Sequence, residues 1–275
     1  MEKIRNLSQL QEIARQVRID IVTMLNAAGS GHTGGSLSAT DILVALFFGK
    51  MNLDPRDPHW VLRDRFVLSK GHAAPTYYSI LARLGFFDQA ELMTLRRFGS
   101  FLQGHPDCNS TPGVEVCSGS LGQGLSVANG MALAARLDNL PSRIYVLLGD
   151  GEVQEGQIWE AAMSAAHFKL DKVTAIMDYN RLQIDGKVAE IMSIEPLPAK
   201  WQAFGWHTIE IDGHNMDQIL AALDAAEEVE DRPSIIIAST IKGKGVSIFE
   251  NKVKYHGVAP TDAELDLALK ELGAA

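Results

Sequence analysis

Apolar residues recur along the chain with two different periods, which predicts that helices and strands alternate. A spacing of three to four positions, typical of an amphipathic helix, recurs in seven segments, and short continuous apolar runs mark five strands. The predicted helices cover residues 8–28, a segment from 38 onward, 73–84, 125–135, 158–168, 216–229 and 261–272. The predicted strands cover 66–68, 144–148, 173–177, 206–211 and 234–239. A strand–helix–strand order predicts parallel strands, so the pattern indicates an α/β fold.

The predicted boundaries rest on local signals. Ser8 and Gln11 have capping-box spacing at the start of the first helix, and Gly29 ends it. The segment Gly29–Gly35 holds four glycines in seven residues and is predicted to be a loop, with the second helix beginning at Ser38 and Asp41 at its third helical position. Residues 100–116 and 181–201 have little periodicity and are predicted to be irregular.

Two polar residues follow the ends of neighbouring predicted strands. Asp150 comes directly after the run that begins at Ile144, within Gly-Asp-Gly, and Asn180 follows the next run. The carboxyl ends of parallel strands meet at one edge of a sheet, where α/β proteins bind ligands. Carboxylate and amide oxygens suit Mg²⁺, which shares its shell with substrate phosphates. Asp-Gly after a strand is also common in plain turns, so the spacing alone leaves that alternative open.

Glycine-rich segments and histidines supply further candidates. Residues 119–124 have the order G-x-x-G-x-G before a helix, which differs from the dinucleotide fingerprint and argues against a Rossmann nicotinamide site. A glycine-rich helix start binds anions, although close helix packing is the alternative. Lys242–Gly245 is either an anion-binding turn or a solvated basic loop. Four histidines stand beside glycines: His32, His72, His105 and His256. For His32, at the centre of its glycine-rich loop, an exposed loop position is the usual alternative.

Composition limits the possible partners. The 275 residues carry a net charge of −9, which disfavours nucleic acid and anionic membranes. The two cysteines, Cys108 and Cys117, are too few for a disulfide framework and lack the spacing of a metal site, so we expect reduced thiols. The N-terminus opens with no apolar signal segment, and no apolar run is long enough to span a bilayer. We expect a single domain over residues 1–275, without a linker, in the cytoplasm.

Six motifs, in order, resemble those of the transketolases, and specifically the N-terminal, diphosphate-binding domain of these thiamine diphosphate enzymes. The resemblance runs from about Leu10 to Gly257 and implies a three-layer α/β/α thiamine diphosphate-binding fold (PP domain) with a mostly parallel central sheet. The motifs are Ser30-Gly-His32, Ser69-Lys-Gly-His72, Gly104-His-Pro106, Gly119-Ser-Leu-Gly-Gln-Gly124, Gly149-Asp-Gly151 with Gln154-Glu-Gly156 and Asn180, and His256-Gly257.

The resemblance also implies a role for each matched residue. It implies that Mg²⁺, for which Ca²⁺ or Mn²⁺ can substitute, is bound by Asp150, Asn180 and the backbone carbonyl of Leu182. It implies that His32, His105 and His256 line the substrate channel and act in catalysis. The implied cofactor-binding residues are His72, Gly119, Leu121, Gly151, Glu152, Glu155, Asn180 and His256, with Glu155 relaying a carboxylate network between paired active sites.

Full-length transketolases continue into a pyrimidine-binding domain and a C-terminal domain, which supply the cofactor-activating glutamate and the sugar-phosphate arginines. Neither is present in this sequence, so the resemblance implies the N-terminal subunit of a split transketolase, with the rest on a partner chain in an α2β2 assembly. A chain truncated from a longer protein is the alternative.

The implied reaction is transfer of a two-carbon ketol unit between sugar phosphates in the pentose phosphate pathway, for example from xylulose 5-phosphate to ribose 5-phosphate. Other thiamine diphosphate reactions remain open: deoxyxylulose phosphate synthesis, a 2-oxo acid dehydrogenase α subunit, or transketolase chemistry on an unusual ketose such as a sulfosugar. A non-catalytic scaffold that has kept only the fold is an alternative of a different class, and it is disfavoured because Asp150, Asn180 and all four histidines are present.

Overall fold

Five parallel strands form the centre of the computed structural model, which describes residues 2–274. They are β1 (Arg65–Leu68), β2 (Ile144–Gly149), β3 (Val173–Tyr179), β6 (His207–Asp212) and β7 (Ser234–Ser239), arranged in the order β1-β2-β3-β7-β6. The register pairs Leu68 with Leu147 and Asp178 with both Gly149 and Ala238. All five predicted strands are therefore present, and their carboxyl ends lie along one edge.

Helices cover both faces of this sheet. One layer contains α1 (Leu7–Ala28), α2 (Thr33–Gly49), α3 (Ala74–Leu84), α8 (Met216–Glu227) and α9 (Asp262–Glu271). The other contains α4 (Gln123–Leu137), α5 (Gly156–His167) and α7 (Leu197–Ala203). The structure also contains a two-stranded ribbon of β4 (Leu182–Gln183) and β5 (Gly186–Lys187), the short helix α6 (Val188–Ile191) and short 3-10 turns.

Strands β1, β2, β3 and β7 have no polar face, because both faces of the sheet are buried there, whereas the edge strand β6 exposes Glu210 and Asp212. Along β2, Tyr145 and Leu147 pack into the core beneath α1 and α2, while Ile144, Val146 and Leu148 pack into the core beneath α4 and α5. This two-residue alternation between two apolar layers is typical of parallel sheets covered on both sides. The three-layer α/β/α fold predicted from the sequence is confirmed.

Two helix starts differ from the sequence prediction. The side chain of Asn6, and not that of Ser8, caps α1 by accepting a hydrogen bond from the backbone N–H of Gln9 at 3.0 Å. Helix α2 begins at Thr33 rather than Ser38, so Gly34 and Gly35 are helical. These glycines allow close packing: a Cβ on Gly35 would lie 3.3 Å from His72 Nε2 and 3.4 Å from Lys70 Nζ. Tertiary contact explains glycines that local propensity assigns to a loop.

The segment 181–201 is more ordered than predicted. It contains the β4–β5 ribbon, α6 and the start of α7. Trp201 of α7 is fully buried against Trp206, with ring centroids 5.0 Å apart. Tertiary burial stabilises these elements, which are too short to leave a periodic pattern in the sequence. Among residues 2–274, none of the helices is both long and apolar enough to cross a membrane.

Candidate active site

Polar and charged side chains gather at the carboxyl edge of the sheet. Strand β1 runs into Lys70, β2 into Asp150, β3 into Asn180, and β7 into Lys242. The chain leaves β3 toward α7 on one face, whereas it leaves β7 toward the core of the opposite face, at Val246. Neighbouring strands whose connections diverge in this way open a crevice, the usual ligand site of α/β proteins.

Asp150 is a buried carboxylate at the end of β2. Its oxygens accept hydrogen bonds from the backbone N–H groups of Gly151, at 2.7 Å, and of Arg181. Burial, with the nearby Asp178 carboxylate, raises the pKa of Asp150 to about 6. A carboxyl group that resists ionisation because it is desolvated is one that a bound cation would stabilise in its charged form.

Asn180 and Leu182 lie next to Asp150, at the end of β3, and Asp150 accepts a hydrogen bond from the backbone of Arg181 between them. The side-chain oxygen of Asn180 accepts a hydrogen bond from Leu182 N at 3.1 Å, and Asn180 is buried. The carbonyl of Leu182 accepts a hydrogen bond from Lys242 Nζ at 3.0 Å. The three predicted metal ligands therefore line one cleft and offer the hard oxygen donors that suit Mg²⁺.

Lys242 belongs to the turn for which the sequence left two interpretations open. The residue is 1% exposed, so the solvated basic loop is wrong for this lysine. Its Nζ also lies 2.8 Å from His256 Nδ1. Desolvation, with repulsion from Lys70, lowers the pKa of Lys242 to about 8. Two buried cations near one cleft create a favourable site for an anion such as a phosphate.

Lys70 is a charged residue of the site to which sequence reasoning gave no role. Its ammonium lies 2.5 Å from Asp178 Oδ2 and donates to the carbonyl of Gly35 at 3.2 Å. Asp178 also accepts hydrogen bonds from Ser38, at 2.6 Å, and from Thr240. Although burial opposes ionisation of Asp178, Lys70 and these donors lower its pKa. The available signal was a charged residue two positions after β1 and another, Asp178, at the end of the apolar run of β3.

Glu152 connects three elements through its buried side chain. One oxygen accepts from Ser69 Oγ at 2.5 Å and from Gly122 N at 2.9 Å, and the other accepts from Gly149 N at 2.8 Å. Burial raises the pKa of Glu152. The carboxylate thus joins the ends of β1 and β2 to the glycine-rich start of α4.

The four glycine-flanked histidines form one cluster. The ring centroid of His32 lies 5.1 Å from that of His72, 6.3 Å from His105 and 5.6 Å from His256. His72 and His256 are themselves 5.1 Å apart. Segments distant in sequence therefore bring all four to one place. The exposed-loop alternative is wrong for His32, which is half-buried, whereas His105 is exposed in its loop.

These imidazoles are neutral at pH 7. Desolvation is the largest cause in each case: it lowers the pKa of His32 to about 4 and that of His256 to about 3, and it lowers the pKa values of His72 and His105. The Arg96 guanidinium contributes at His32 and His105. Nδ1 of His32 is buried without a hydrogen-bond partner among residues 2–274. Neutral imidazoles can both donate and accept a hydrogen bond, as polyhydroxylated ligands require.

The remaining predicted site residues border the same cleft or its entrance. Leu121, Gly151 and Glu155 line the cleft together with His72 and His256, as do the metal-site candidates. Gly119 lies outside the cleft lining and against the His105 ring, where a Cβ would approach Cγ to 3.3 Å. The structure therefore brings together the predicted residues, with Gly119, His32 and His105 on the side of the cleft formed by the histidine cluster.

His214 is a second residue that the sequence analysis did not identify. Its Nδ1 lies 2.7 Å from Asp41 Oδ2, and its Nε2 accepts a hydrogen bond from Ile241 N at 2.8 Å. Asp41 in turn is held by Arg18 through two hydrogen bonds of 2.9 and 2.7 Å. The network anchors the backbone beside Lys242 and thereby positions its ammonium.

Fold and site together define a class of protein: an α/β protein with a cleft of oxygen donors, buried ammonium groups and imidazoles at the carboxyl ends of its strands. Residues 9–275 match the family model described as "Transketolase, thiamine diphosphate binding domain". The chain belongs to the transketolase family and corresponds to its N-terminal, thiamine diphosphate-binding part. This confirms the resemblance found in the sequence.

Relatives of two lengths match the chain. It is 48% identical over 263 residues to the 6-deoxy-6-sulfo-D-fructose transketolase subunit SqwG of Clostridium sp. (strain MSTE9), covering 96% of each protein. It is 43% identical over 252 residues to an apulose-4-phosphate transketolase subunit of Phocaeicola vulgatus, covering 92% of this chain and 89% of that protein. Against mouse transketolase it is 43% identical over 257 residues, 92% of this chain but 40% of the mouse protein.

Solved structures agree with the family assignment. The crystal structure of Campylobacter jejuni transketolase superposes with a TM-score of 0.92 at 35% identity, over 98% of this chain and 43% of that one. The chain thus has the fold of less than half of a transketolase polypeptide of that length.

Proposed function

We propose that this chain is the thiamine diphosphate- and Mg²⁺-binding subunit of a transketolase that transfers a two-carbon ketol unit between sugars. The observation that carries the proposal is the convergence of Asp150, Asn180, Lys242 and the histidine cluster on one cleft in a chain of this family. Oxygen donors, buried ammonium groups and neutral imidazoles meet the needs of a metal, a diphosphate and a sugar respectively.

In this proposal the cleft residues divide into metal, phosphate and ring contacts. Asp150, Asn180 and the Leu182 carbonyl hold the metal, which Ca²⁺ or Mn²⁺ can replace. The backbones of Gly151 and Glu152 approach the diphosphate, while His72, His256 and Lys242 donate hydrogen bonds to it. Leu121 and Gly119 lie near the rings of the cofactor, and Glu155 takes part in a carboxylate network between paired sites.

Thiamine diphosphate supplies the electron sink for cleavage of the bond next to a ketose carbonyl. The residues of this chain orient the substrate and move protons. His32, His105 and His256 are placed to hydrogen-bond the carbonyl and hydroxyl oxygens of the sugar. Because desolvation keeps these imidazoles neutral, His32 and His105 can each accept a hydroxyl proton at one nitrogen while donating at the other. His256, whose Nδ1 faces the Lys242 ammonium, is left to donate from Nε2.

We further propose that a partner chain completes the active site, in an α2β2 assembly. Full-length transketolases are more than twice as long as the matching region, whereas the two relatives called subunits have nearly its length. The cleft holds about 210 Å³, less than the roughly 300–1,000 Å³ of typical small-molecule sites, so a second surface is needed to enclose a cofactor and a sugar.

The sugar is the least constrained part of the proposal. The sequence resemblance favours xylulose 5-phosphate as donor and ribose 5-phosphate as acceptor, in the pentose phosphate pathway. The relative with 48% identity is named for 6-deoxy-6-sulfo-D-fructose, which favours a sulfosugar as the second candidate donor. Apulose 4-phosphate, from the name of a further relative, is the third.

A ketol-transfer assay with each of these donors tests the proposal. It is run with thiamine diphosphate and Mg²⁺ on this chain alone and on the chain co-expressed with the product of an adjacent gene. Activity only in the mixture supports a split enzyme, and the donor with the highest kcat/KM identifies the sugar. Activity of the single chain would contradict the need for a partner.

Silence with every donor, although the mixture binds thiamine diphosphate, would refute the substrate assignment and leave the cofactor assignment standing. If the mixture does not bind thiamine diphosphate at all, the non-catalytic scaffold becomes the better explanation.

A further inference from the structure

Two thiols that the sequence analysis treats as unrelated are neighbours in the structure. Cys108 and Cys117 are both exposed, and their Sγ atoms lie 3.0 Å apart. A disulfide has an S–S distance of about 2.05 Å, so the two sulfur atoms need to move only about 1 Å closer to form a bond. We propose that Cys108 and Cys117 form a reversible disulfide, a redox modification site beyond the transketolase chemistry.

The backbone around the thiols is already arranged for the bond. Cys108 and Cys117 stand on the two arms of a loop whose base is closed by a hydrogen bond from Ser118 N to the carbonyl of Pro106 at 3.2 Å. The N–H of Cys108 also donates to Cys117 Sγ, at 3.2 Å. These contacts hold the arms together and keep the two sulfurs in contact before any bond forms.

The polar surroundings divide the roles of the two thiols. Cys117 lies 3.2 Å from Asp107 Oδ1, and hydrogen bonding to Cys108, with a smaller effect of Asp107, raises the pKa of Cys117 to about 11. Cys117 donates its proton toward the Asp107 carboxylate and keeps it, so the first attack comes from Cys108, whose Sγ is hydrogen-bonded only to Cys117 among residues 2–274.

The electrons go to an external disulfide, for which oxidised glutathione serves as the example. The Cys108 thiolate attacks one of its sulfurs, so that the S–S bond breaks, one glutathione thiolate leaves and a mixed disulfide forms. Cys117 then loses its proton to solvent and attacks the Cys108 sulfur, which releases the second glutathione. The chain loses two electrons, and oxidised glutathione becomes two molecules of the thiol.

The loop that carries the two cysteines begins and ends beside the entrance of the cleft, so a disulfide within it would affect that entrance. The loop leaves from His105 and returns to Gly119, which lies against the His105 ring. The disulfide would covalently tie together the two segments that carry these residues. Formation of the disulfide does not depend on transketolase activity, and it is followed by counting free thiols rather than by an enzyme assay.

The sequence makes the test unambiguous, because the chain has only two cysteines and so only one possible intramolecular disulfide. The full chain, alone and with its co-expressed partner, is equilibrated with glutathione mixtures and quenched with N-ethylmaleimide. The mass of this chain is then measured with and without prior reduction. We expect no alkylated cysteine at oxidising ratios, a mass lower by two hydrogens, and full recovery of both thiols on reduction.

The variants Cys108→Ser and Cys117→Ser are the matched controls. Each has no resolving thiol, so we expect it to retain one glutathione under the conditions that leave the natural chain free of adducts. Two retained glutathiones, a disulfide-linked dimer, or two alkylated thiols in the natural chain would overturn the proposal. Protection of both thiols by Zn²⁺ alone, without oxidation, would identify a metal site of Asp107, Cys108 and Cys117 instead and would equally overturn it.

Discussion

The ammonium of Lys242 donates its hydrogen bond to the backbone carbonyl of Leu182, across 3.0 Å. Lys242, which we assign to the diphosphate, is therefore hydrogen-bonded to the Leu182 carbonyl, which we assign to the metal. The turn that carries Lys242 is itself held in place, because the N–H of the adjacent Ile241 donates to His214. Metal and phosphate binding are therefore expected to be coupled.

Lys242→Met tests this coupling, since methionine keeps much of the apolar stem and removes the charge. Loss of a hydrogen bond to a charged group costs about 1.5–3 kcal/mol, so we expect thiamine diphosphate affinity to fall by roughly 10- to 100-fold. Isothermal titration of the assembled enzyme measures it. Lys244→Met is the control, because Lys244 pairs with Glu250 at 3.7 Å on the same turn. An equal loss in both variants would contradict the specific role of Lys242.

Asp150→Asn should have opposite effects on binding and on stability. The variant should lose Mg²⁺-dependent thiamine diphosphate binding, because the metal site loses its charged ligand. Without metal, the folded-state pKa of Asp150 is about 6 against an ordinary value of 3.8, so at pH 8 its charge opposes folding. At about 1.4 kcal/mol per pKa unit, removal of the charge contributes roughly 3 kcal/mol. The amide accepts only one of the two backbone hydrogen bonds, which costs about 1–3 kcal/mol, so we expect the metal-free variant to be more stable by at most about 2 kcal/mol.

Urea unfolding at several pH values checks the stability effect. The difference between variant and natural chain should be greatest above pH 6 and shrink as the pH falls toward 4, where Asp150 takes up its proton in the natural chain. Cofactor affinity unchanged in Asp150→Asn would refute the metal assignment.

His105→Ala should lower turnover and leave thiamine diphosphate affinity nearly intact. His105 lies on the side of the cleft formed by the histidine cluster, 6.3 Å from His32, and outside the lining around Asp150 and Asn180. Loss of a group that assists proton transfer typically lowers kcat by about 10²- to 10⁴-fold. Steady-state kinetics and cofactor titration are measured together. A collapse of cofactor binding would mean that His105 belongs to the cofactor site.

The buried histidines make stability fall on acidification. An imidazole in the unfolded chain titrates near pH 6.5, whereas that of His256 titrates at about 3 in the folded chain. Between these values the unfolded state binds more protons, so the histidine favours folding above pH 6.5 and loses that contribution as the pH falls toward 3. After allowance for its partial exposure, we expect about 1 kcal/mol from His256 between pH 7 and 5.

His256→Gln should therefore flatten the dependence of unfolding free energy on pH over this interval. Asp150 is present in both the natural chain and His256→Gln. Its opposing contribution to the unfolding free energy, which grows as the pH falls, therefore cancels when the two are compared. His167→Gln, at an exposed position on α5, serves as the control. Parallel curves for the natural chain and His256→Gln would show that His256 is not held neutral by burial.

The sequence predicted the elements of the sheet because buried parallel strands leave uninterrupted apolar runs. It also predicted the convergence of Asp150 and Asn180, since parallel topology puts both strand ends at one edge. It could not predict that α2 begins at Thr33, because the reason lies in Lys70 and His72, which are distant in sequence. The 3.0 Å approach of Cys108 to Cys117 likewise depends on the fold of their loop.

The ion pair of Lys70 and Asp178 joins the ends of β1 and β3 over the intervening β2, with both side chains almost fully buried. Removal of one partner from such a pair costs about 3–5 kcal/mol, a large share of the roughly 5–15 kcal/mol that holds a domain folded. Replacement of both by apolar residues can be neutral. We therefore expect residues 70 and 178 to change together in evolution. A homologue that replaces both by apolar residues would keep its stability but lose the positive charge near the cleft.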